Sequence, residues 1–179
     1  MSILHRSRIA ASALALVGLL HSQAAMAQQC IASDDITDAG IYAVPMLVDG
    51  FAAQCAPHLA ADGFYATHGE EFVAPYEAMQ ADRWPGMLRV VIAMASEGKG
   101  GIDAAETMAS LPEEALRPLV DAVLAEKIGG EIKPADCGRI EHAMELLAPL
   151  PPENFGGLVS FLVDITGVKN PQICKAVKP

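Results

Sequence analysis

The chain has 179 residues, 52% of them hydrophobic, with 12 Lys+Arg against 22 Asp+Glu and a formal net charge of −10. That length holds one compact domain with a sizeable core. The acidic balance excludes a nucleic-acid binder that works by neutralising phosphates, and it excludes electrostatic docking on an anionic membrane. The density and regular placement of apolar residues exclude an intrinsically disordered chain.

The first segment reads as an address. His5, Arg6 and Arg8 make a short basic start, and Ile9 to Leu20 is an uncharged run of 12 mostly apolar residues. Ala25 and Ala27 then place small residues where a signal peptidase reads. Twelve residues rise only about 18 Å as a helix, short of a hydrocarbon core of about 30 Å. Residues 1–27 are therefore expected to be a secretory signal peptide cleaved after Ala27, with export to a periplasm or the cell exterior. Gln28 and Gln29 precede Cys30 where a lipoprotein signal needs small residues, so lipidation is not expected. Removing 27 of 179 residues leaves 152, and losing Arg6 and Arg8 but no acid takes the charge to −12. Charges interrupt every later apolar run, so no stable membrane anchor is expected after cleavage.

The remainder, 28–179, is expected to be a single helical domain. Asp34, Asp35 and Asp38 cluster where they would N-cap a first helix. Val44, Leu47, Val48, Phe51, Ala52 and Cys55 share a helical face, with Pro45 early in it. Phe72, Val73, Tyr76 and Met79 share another. Trp84, Met87, Leu88, Val91, Ile92 and Ala95 make a third stripe at i, i+3, i+4 spacing, closed by Gly98. Ser110-Leu111-Pro112-Glu113 has the spacing of a capping box before Leu116, Leu119, Val120, Val123 and Leu124. Pro118 should kink that helix or delay its start, and Gly129-Gly130 should end it. Ile140, Met144 and Leu147 mark a further helix, with Asp136 near its start. Phe155, Leu158, Val159, Leu162 and Val163 mark the last, with Gly167 after it. No run alternates as a strand does. The expected fold is all-α, about six or seven short helices packed as antiparallel hairpins.

Residues 102–126 align without gaps on 141–165, with eight identities, among them Leu111/Leu150, Pro112/Pro151, Leu119/Leu158 and Val120/Val159. Each copy reads as helix, Leu-Pro-x-Glu turn, helix. The domain thus divides into an aromatic-rich helical half, 28–101, and two related helical hairpins, 102–179, that are candidates for a duplication. Within the last helix, Gly156-Gly157 suggests close helix packing.

Four cysteines, Cys30, Cys55, Cys137 and Cys174, survive signal cleavage, and an even count in an exported chain predicts two disulfides. The pairing favoured by chain order is Cys30 with Cys55 and Cys137 with Cys174, the second stapling the terminal hairpin. No Cys-x-x-Cys occurs, which removes the thioredoxin-like, c-type haem and zinc-ribbon readings.

Chemistry-bearing constellations are sparse. His58, His68 and His142 have no His or Cys partner at helical spacing, whereas zinc needs three or four ligands. His142 lies between Glu141 and Glu145, the pattern of a solvated helix face. No P-loop, Gly-x-Gly-x-x-Gly or Gly-x-Ser-x-Gly motif is present. Met46, Met79, Met87, Met94, Met108 and Met144 are dispersed on helical faces as core residues are. No catalytic residue, cofactor or metal ligand is therefore expected. One feature is uneven: seven of the nine aromatics lie between Tyr42 and Trp84. Phe51, Phe64, Tyr65, Phe72, Tyr76 and Trp84 are candidates to line an apolar pocket, and core filling is the plainer role for the same rings.

The expected function is that of a non-enzymatic exported protein that binds another protein, as an adaptor or envelope accessory factor. A carrier of a small apolar ligand, using the aromatic-rich half, is the alternative. An enzyme with a dispersed acid or histidine site is the third.

Overall fold

A computed structural model describes residues 30–169 and 171–174. The expected signal peptide, 1–27, lies outside the described residues. Six helices pack together from Ile31 onward: α1 Ser33–Cys55, α2 Phe64–Glu97, α3 Gly101–Ser110, α4 Glu113–Glu131, α5 Cys137–Leu147 and α6 Pro152–Thr166. Short 3-10 turns, Ala56–His58 and Pro134–Asp136, lead out of α1 and into α5. The architecture is all-α. Ile31 and Ile173 form an isolated parallel bridge, in which the Ile31 N–H donates to the Gln172 carbonyl at 2.8 Å and the Cys174 N–H to the Ile31 carbonyl at 2.9 Å.

α1 begins without a side-chain cap. The expectation that Asp34, Asp35 and Asp38 cap it is not met. Two of these acids reach α2 instead. Arg89 donates from Nε and Nη2 to Asp35 Oδ1 at 2.9 and 2.6 Å, and Arg83 Nη1 donates to Asp38 Oδ1 at 3.0 Å. Their i, i+3 spacing puts both on the side of α1 that faces α2, where charge-assisted pairing with arginine replaces capping. Contrary to the expectation from charge interruption, α1 is long and apolar enough to cross a membrane by length and composition. In this fold half of that stretch is buried, and α2, α4 and α6 all pack on it. Its hydropathy is that of a central core helix.

α2 joins two expected stripes into one helix of 34 residues that contains both Pro75 and Pro85. A proline inside a helix removes a backbone hydrogen bond and crowds the preceding turn. Tyr76, Trp84 and Met87 are buried beside these prolines, and that burial holds the segment helical. Glu141 Oε1 of α5 accepts the Tyr65 N–H at 3.0 Å and so caps the α2 start from outside.

The predicted capping box is also absent. Ser110 Oγ donates to the Thr107 carbonyl at 2.7 Å, ending α3, while Pro112 is the N-cap of α4 without a side-chain hydrogen bond. Pro118 lies inside α4, which starts five residues before it, and Gly129-Gly130 lies inside it rather than at its end. The reason for Gly129 is tertiary. A Cβ on Gly50 of α1 would lie 2.7 Å from the Ala125 carbonyl oxygen and 2.9 Å from the Gly129 nitrogen, so the two backbones touch there. Gly156 makes the corresponding approach of α6 to α1: a Cβ would stand 2.7 Å from the Thr37 carbonyl oxygen and 2.7 Å from Ile41 Cγ1. Gly157 has open space around it, so of the glycine pair only Gly156 serves packing.

The two aligned hairpins are used in the same way. Each sets its first helix, α3 or α5, on α2 and its second, α4 or α6, on α1. Aligned positions share their surroundings: Ala105 and Met144 are buried, and Val120 and Val159 both pack inward. The helices of each hairpin lean on the central α1–α2 pair more than on one another.

The core has two parts. Ile41, Val44, Val48, Phe51, Cys55, Tyr76, Cys137 and Met144 form the first. Tyr42, Met46, Trp84, Met87, Leu116 and Val120 form the second. Cys55 is bonded to Cys137 within the first part, with Cα atoms 5.5 Å apart. The sequential pairing is thus overturned in both halves of the chain. Cys30 and Cys174 are each disulfide-bonded as well. Proximity in sequence misled because neither half closes on itself: Cys55 ends α1 and Cys137 begins α5, and packing of α5 across the α1–α2 pair brings them together.

Candidate functional site

Five of the six candidate pocket rings meet in the first core. Phe51 lies edge-on to Tyr65 at 5.4 Å, Phe64 to Phe72 at 6.2 Å, Phe72 lies 5.7 Å from Tyr76, and Tyr76 is edge-on to Phe155 at 5.8 Å. The sixth, Trp84, belongs to the second core, 5.5 Å from Tyr42. Phe51, Tyr76 and Trp84 are buried, while Phe64, Tyr65 and Phe72 pack partly buried against them. These rings cover one another, as offset and edge-to-face contacts do in a core. The Tyr76 hydroxyl is buried with no hydrogen-bond partner among the described residues.

A polar constellation that the sequence did not single out sits beside Trp84. The Tyr42 hydroxyl donates to Asp121 Oδ1 at 2.7 Å and accepts from Arg117 Nε at 3.1 Å. The Arg117 guanidinium lies 5.4 Å from the Tyr42 ring centre and 5.8 Å from that of Trp84, within cation–π reach. Burial, followed by the Asp121 hydrogen bond, raises the Tyr42 phenol far above its ordinary value, so it stays neutral. A neutral, doubly engaged phenol ties α1 to α4 and is not an activated nucleophile. Next to it, Glu113, Glu114, Arg117, Pro118 and Asp121 line an open cleft of about 300 Å³ on α4. The only sequence hint was helical spacing of Arg117 and Asp121 beside Leu116 and Val120, which by itself looks like any solvated edge.

The histidines lie apart from that cleft. His58 is exposed in the 3-10 turn after α1. His68 stacks on Phe64 at 5.5 Å and shares a 2.8 Å hydrogen bond with Thr67. His142 is exposed and 3.3 Å from Glu145, as its flanking acids suggest. Among the described residues, no three His, Cys, Asp or Glu side chains are grouped to hold a metal ion.

The most distinctive surface is apolar. On α6, Leu158, Phe161, Leu162 and Ile165 are 40, 58, 46 and 60% exposed, and their i, i+3, i+4, i+7 spacing makes one stripe. Val168 extends it past the helix end. The opposite side of α6, with Gly156, Val159 and Ser160, is held by α1, where Ser160 Oγ donates to the Ser33 carbonyl at 2.9 Å. A helix apolar on all sides is ordinarily buried, yet this one lies on the surface. The aligned positions of α4 behave alike: Leu119 and Val123, which match Leu158 and Leu162, are 51 and 42% exposed. Sequence periodicity assigned all four to the core, because it cannot tell which side of an all-apolar helix finds a partner.

Comparison with family models, curated proteins and solved structures finds no match to this chain.

Proposed function

We propose that this chain is an exported, non-enzymatic protein whose role is to bind another protein through the outer faces of its helical hairpins. The observation that carries the reading is the matched exposure of Leu119 with Leu158 and of Val123 with Leu162. Large contiguous apolar patches left in water, rimmed by polar residues, mark protein–protein interaction surfaces. Two disulfide bonds accord with an oxidising compartment, the environment the N-terminal segment addresses. The partner's contact surface would be apolar at its centre with a basic rim, to match an acidic chain.

The test is capture from an envelope extract with the purified protein as bait, beside a double variant carrying Leu119→Glu and Val123→Glu. Both positions are exposed, so the variant should keep its helical circular dichroism. A protein retained by the wild type and lost with the variant supports the reading. Recovery of nothing above a control bait, or recovery indifferent to the variant, counts against it. Native mass spectrometry of the same preparation separates it from a small-ligand carrier, which would show added mass on the chain.

A further inference from the structure

We infer that the exposed stripe of α6 is a self-association surface that joins two copies of this chain about Phe161. The aligned helix α4 provides an internal control. It too packs on α1, near Gly50 where α6 packs near Gly40, yet carries Ala122 where α6 has Phe161 and Glu126 where α6 has Ile165. The aligned position is thus small or charged on one hairpin and large and apolar on the other, so packing on α1 does not demand Phe161 or Ile165.

Three features of the stripe fit a second copy. The first is area. Leu158, Phe161, Leu162, Ile165 and Val168 expose on the order of 450 Å² together, for side chains of this size. A stable interface buries about 800 Å² per partner, and about two-thirds of a homodimer interface is apolar. The stripe alone supplies most of that apolar share. The second is shape. Four residues before Phe161 is Gly157, which has open space where a side chain would be, and four residues after it is Ile165, which projects into solvent. Two α6 helices packed antiparallel about Phe161 put each copy's Ile165 over the other copy's Gly157. The third is charge. Glu153 lies eight residues before Phe161 and the exposed Lys169 eight after it. The antiparallel arrangement sets each Glu153 near the other copy's Lys169, and it opposes the two helix dipoles favourably. Between Glu153 and Lys169 the one charged side chain is Asp164.

If a second copy covers the α6 stripe, partner binding is left to the α4 face, on which the capture experiment turns, so the two readings fail independently. Sedimentation velocity of the wild-type protein over a wide concentration range should give a dimer mass that dissociates on dilution. Phe161→Glu, and separately Ile165→Glu, should weaken it at least about 30-fold, as loss of a central anchor does. Ile165 is 60% exposed and the aligned position 126 carries glutamate, so Ile165→Glu is expected to leave the helical signal unchanged. The variant Leu119→Glu should leave the dimer unchanged. Carbodiimide treatment of mixed light and heavy isotope-labelled protein should yield a hybrid Glu153–Lys169 cross-linked peptide. A chain that stays monomeric at every concentration, a dimer indifferent to both α6 variants, or a dimer with no hybrid Glu153–Lys169 peptide would overturn the inference. A monomer that still captures a partner would leave the proposed function standing alone.

Discussion

Gly50 offers the sharpest test of how the helices are held, because two opposing effects of one methyl group have known sizes. Gly50→Ala improves α1 as an isolated helix by about 1 kcal/mol. The added Cβ would lie 2.7 Å from the Ala125 carbonyl oxygen and 2.9 Å from the Gly129 nitrogen. Both are backbone atoms and cannot rotate away. Restoring an ordinary separation near 3.5 Å requires α1 and α4 to part by about 0.7 Å at their crossing. That strains the packing of Val120 and Tyr42 and the 2.7 Å bond from Tyr42 to Asp121. Overpacking of this kind costs about 1–3 kcal/mol. With the propensity gain set against the upper half of that range, the net expectation is a loss of about 1–2 kcal/mol. For a chain of this size the thermal midpoint should fall by about 2–8 °C. The control, read on the monomer at low protein concentration, is Gly157→Ala on α6, where nothing in the same chain lies within 4 Å of the new methyl. It should raise the midpoint, by the same propensity argument. Thermal unfolding followed by far-ultraviolet circular dichroism, with disulfides intact, reads both. If Gly50→Ala stabilises as Gly157→Ala does, the α1–α4 backbone contact is not as close as described and the argument fails.

The other expectations concern the buried phenols and the first core's disulfide. Burial raises the pKa of Tyr42 and of Tyr76, the latter with help from the Glu153 charge, above the ordinary value of 10.0. Phenols held neutral in the folded state contribute fully below the unfolded value and lose that contribution above it, so stability should decline from about pH 10 upward. The phenolate absorbance of these two residues should appear together with loss of helical signal; a full tyrosinate signal from an intact helical protein would contradict it. Replacing Cys55 and Cys137 together by serine opens a loop with a sequence separation of 82, a constraint worth about 4–5 kcal/mol in the chain-entropy model. The urea midpoint should fall accordingly, and a non-reducing peptide map of the wild type should contain the Cys55–Cys137 pair. Recovery of a Cys30–Cys55 peptide instead would reject the described topology.

The candidate site was less readable than the fold, and particular residues show why. Arg117 and Asp121 became a constellation only when α4 was laid across Tyr42 and Trp84, residues up to 79 apart in chain order and unrelated in pattern. Leu158 and Val159 are neighbours with equal claim to the core by composition, yet Val159 packs on Gly40 and Leu158 faces solvent. Capping expectations for Asp35, Asp38 and Ser110 failed for a similar reason, since those side chains found other partners.

What the sequence determined by itself was the helical class, the helix–turn–helix content of the two aligned hairpins, the last helix's end at Gly167, and the oxidised state of four cysteines. These follow from local physics: 3.6-residue apolar periodicity, the left-handed backbone that Gly167 adopts at φ 65°, and the even count of cysteines. The tertiary structure decided which cysteines pair, that Pro75 and Pro85 sit inside one helix, which glycines mark helix crossings, and which apolar faces stay in water. Each of those depends on a neighbour distant in the chain. Periodicity records that a residue is apolar and where it points on its own helix, while the identity of the surface it meets is settled only when α1 and α2 gather the other four helices around them.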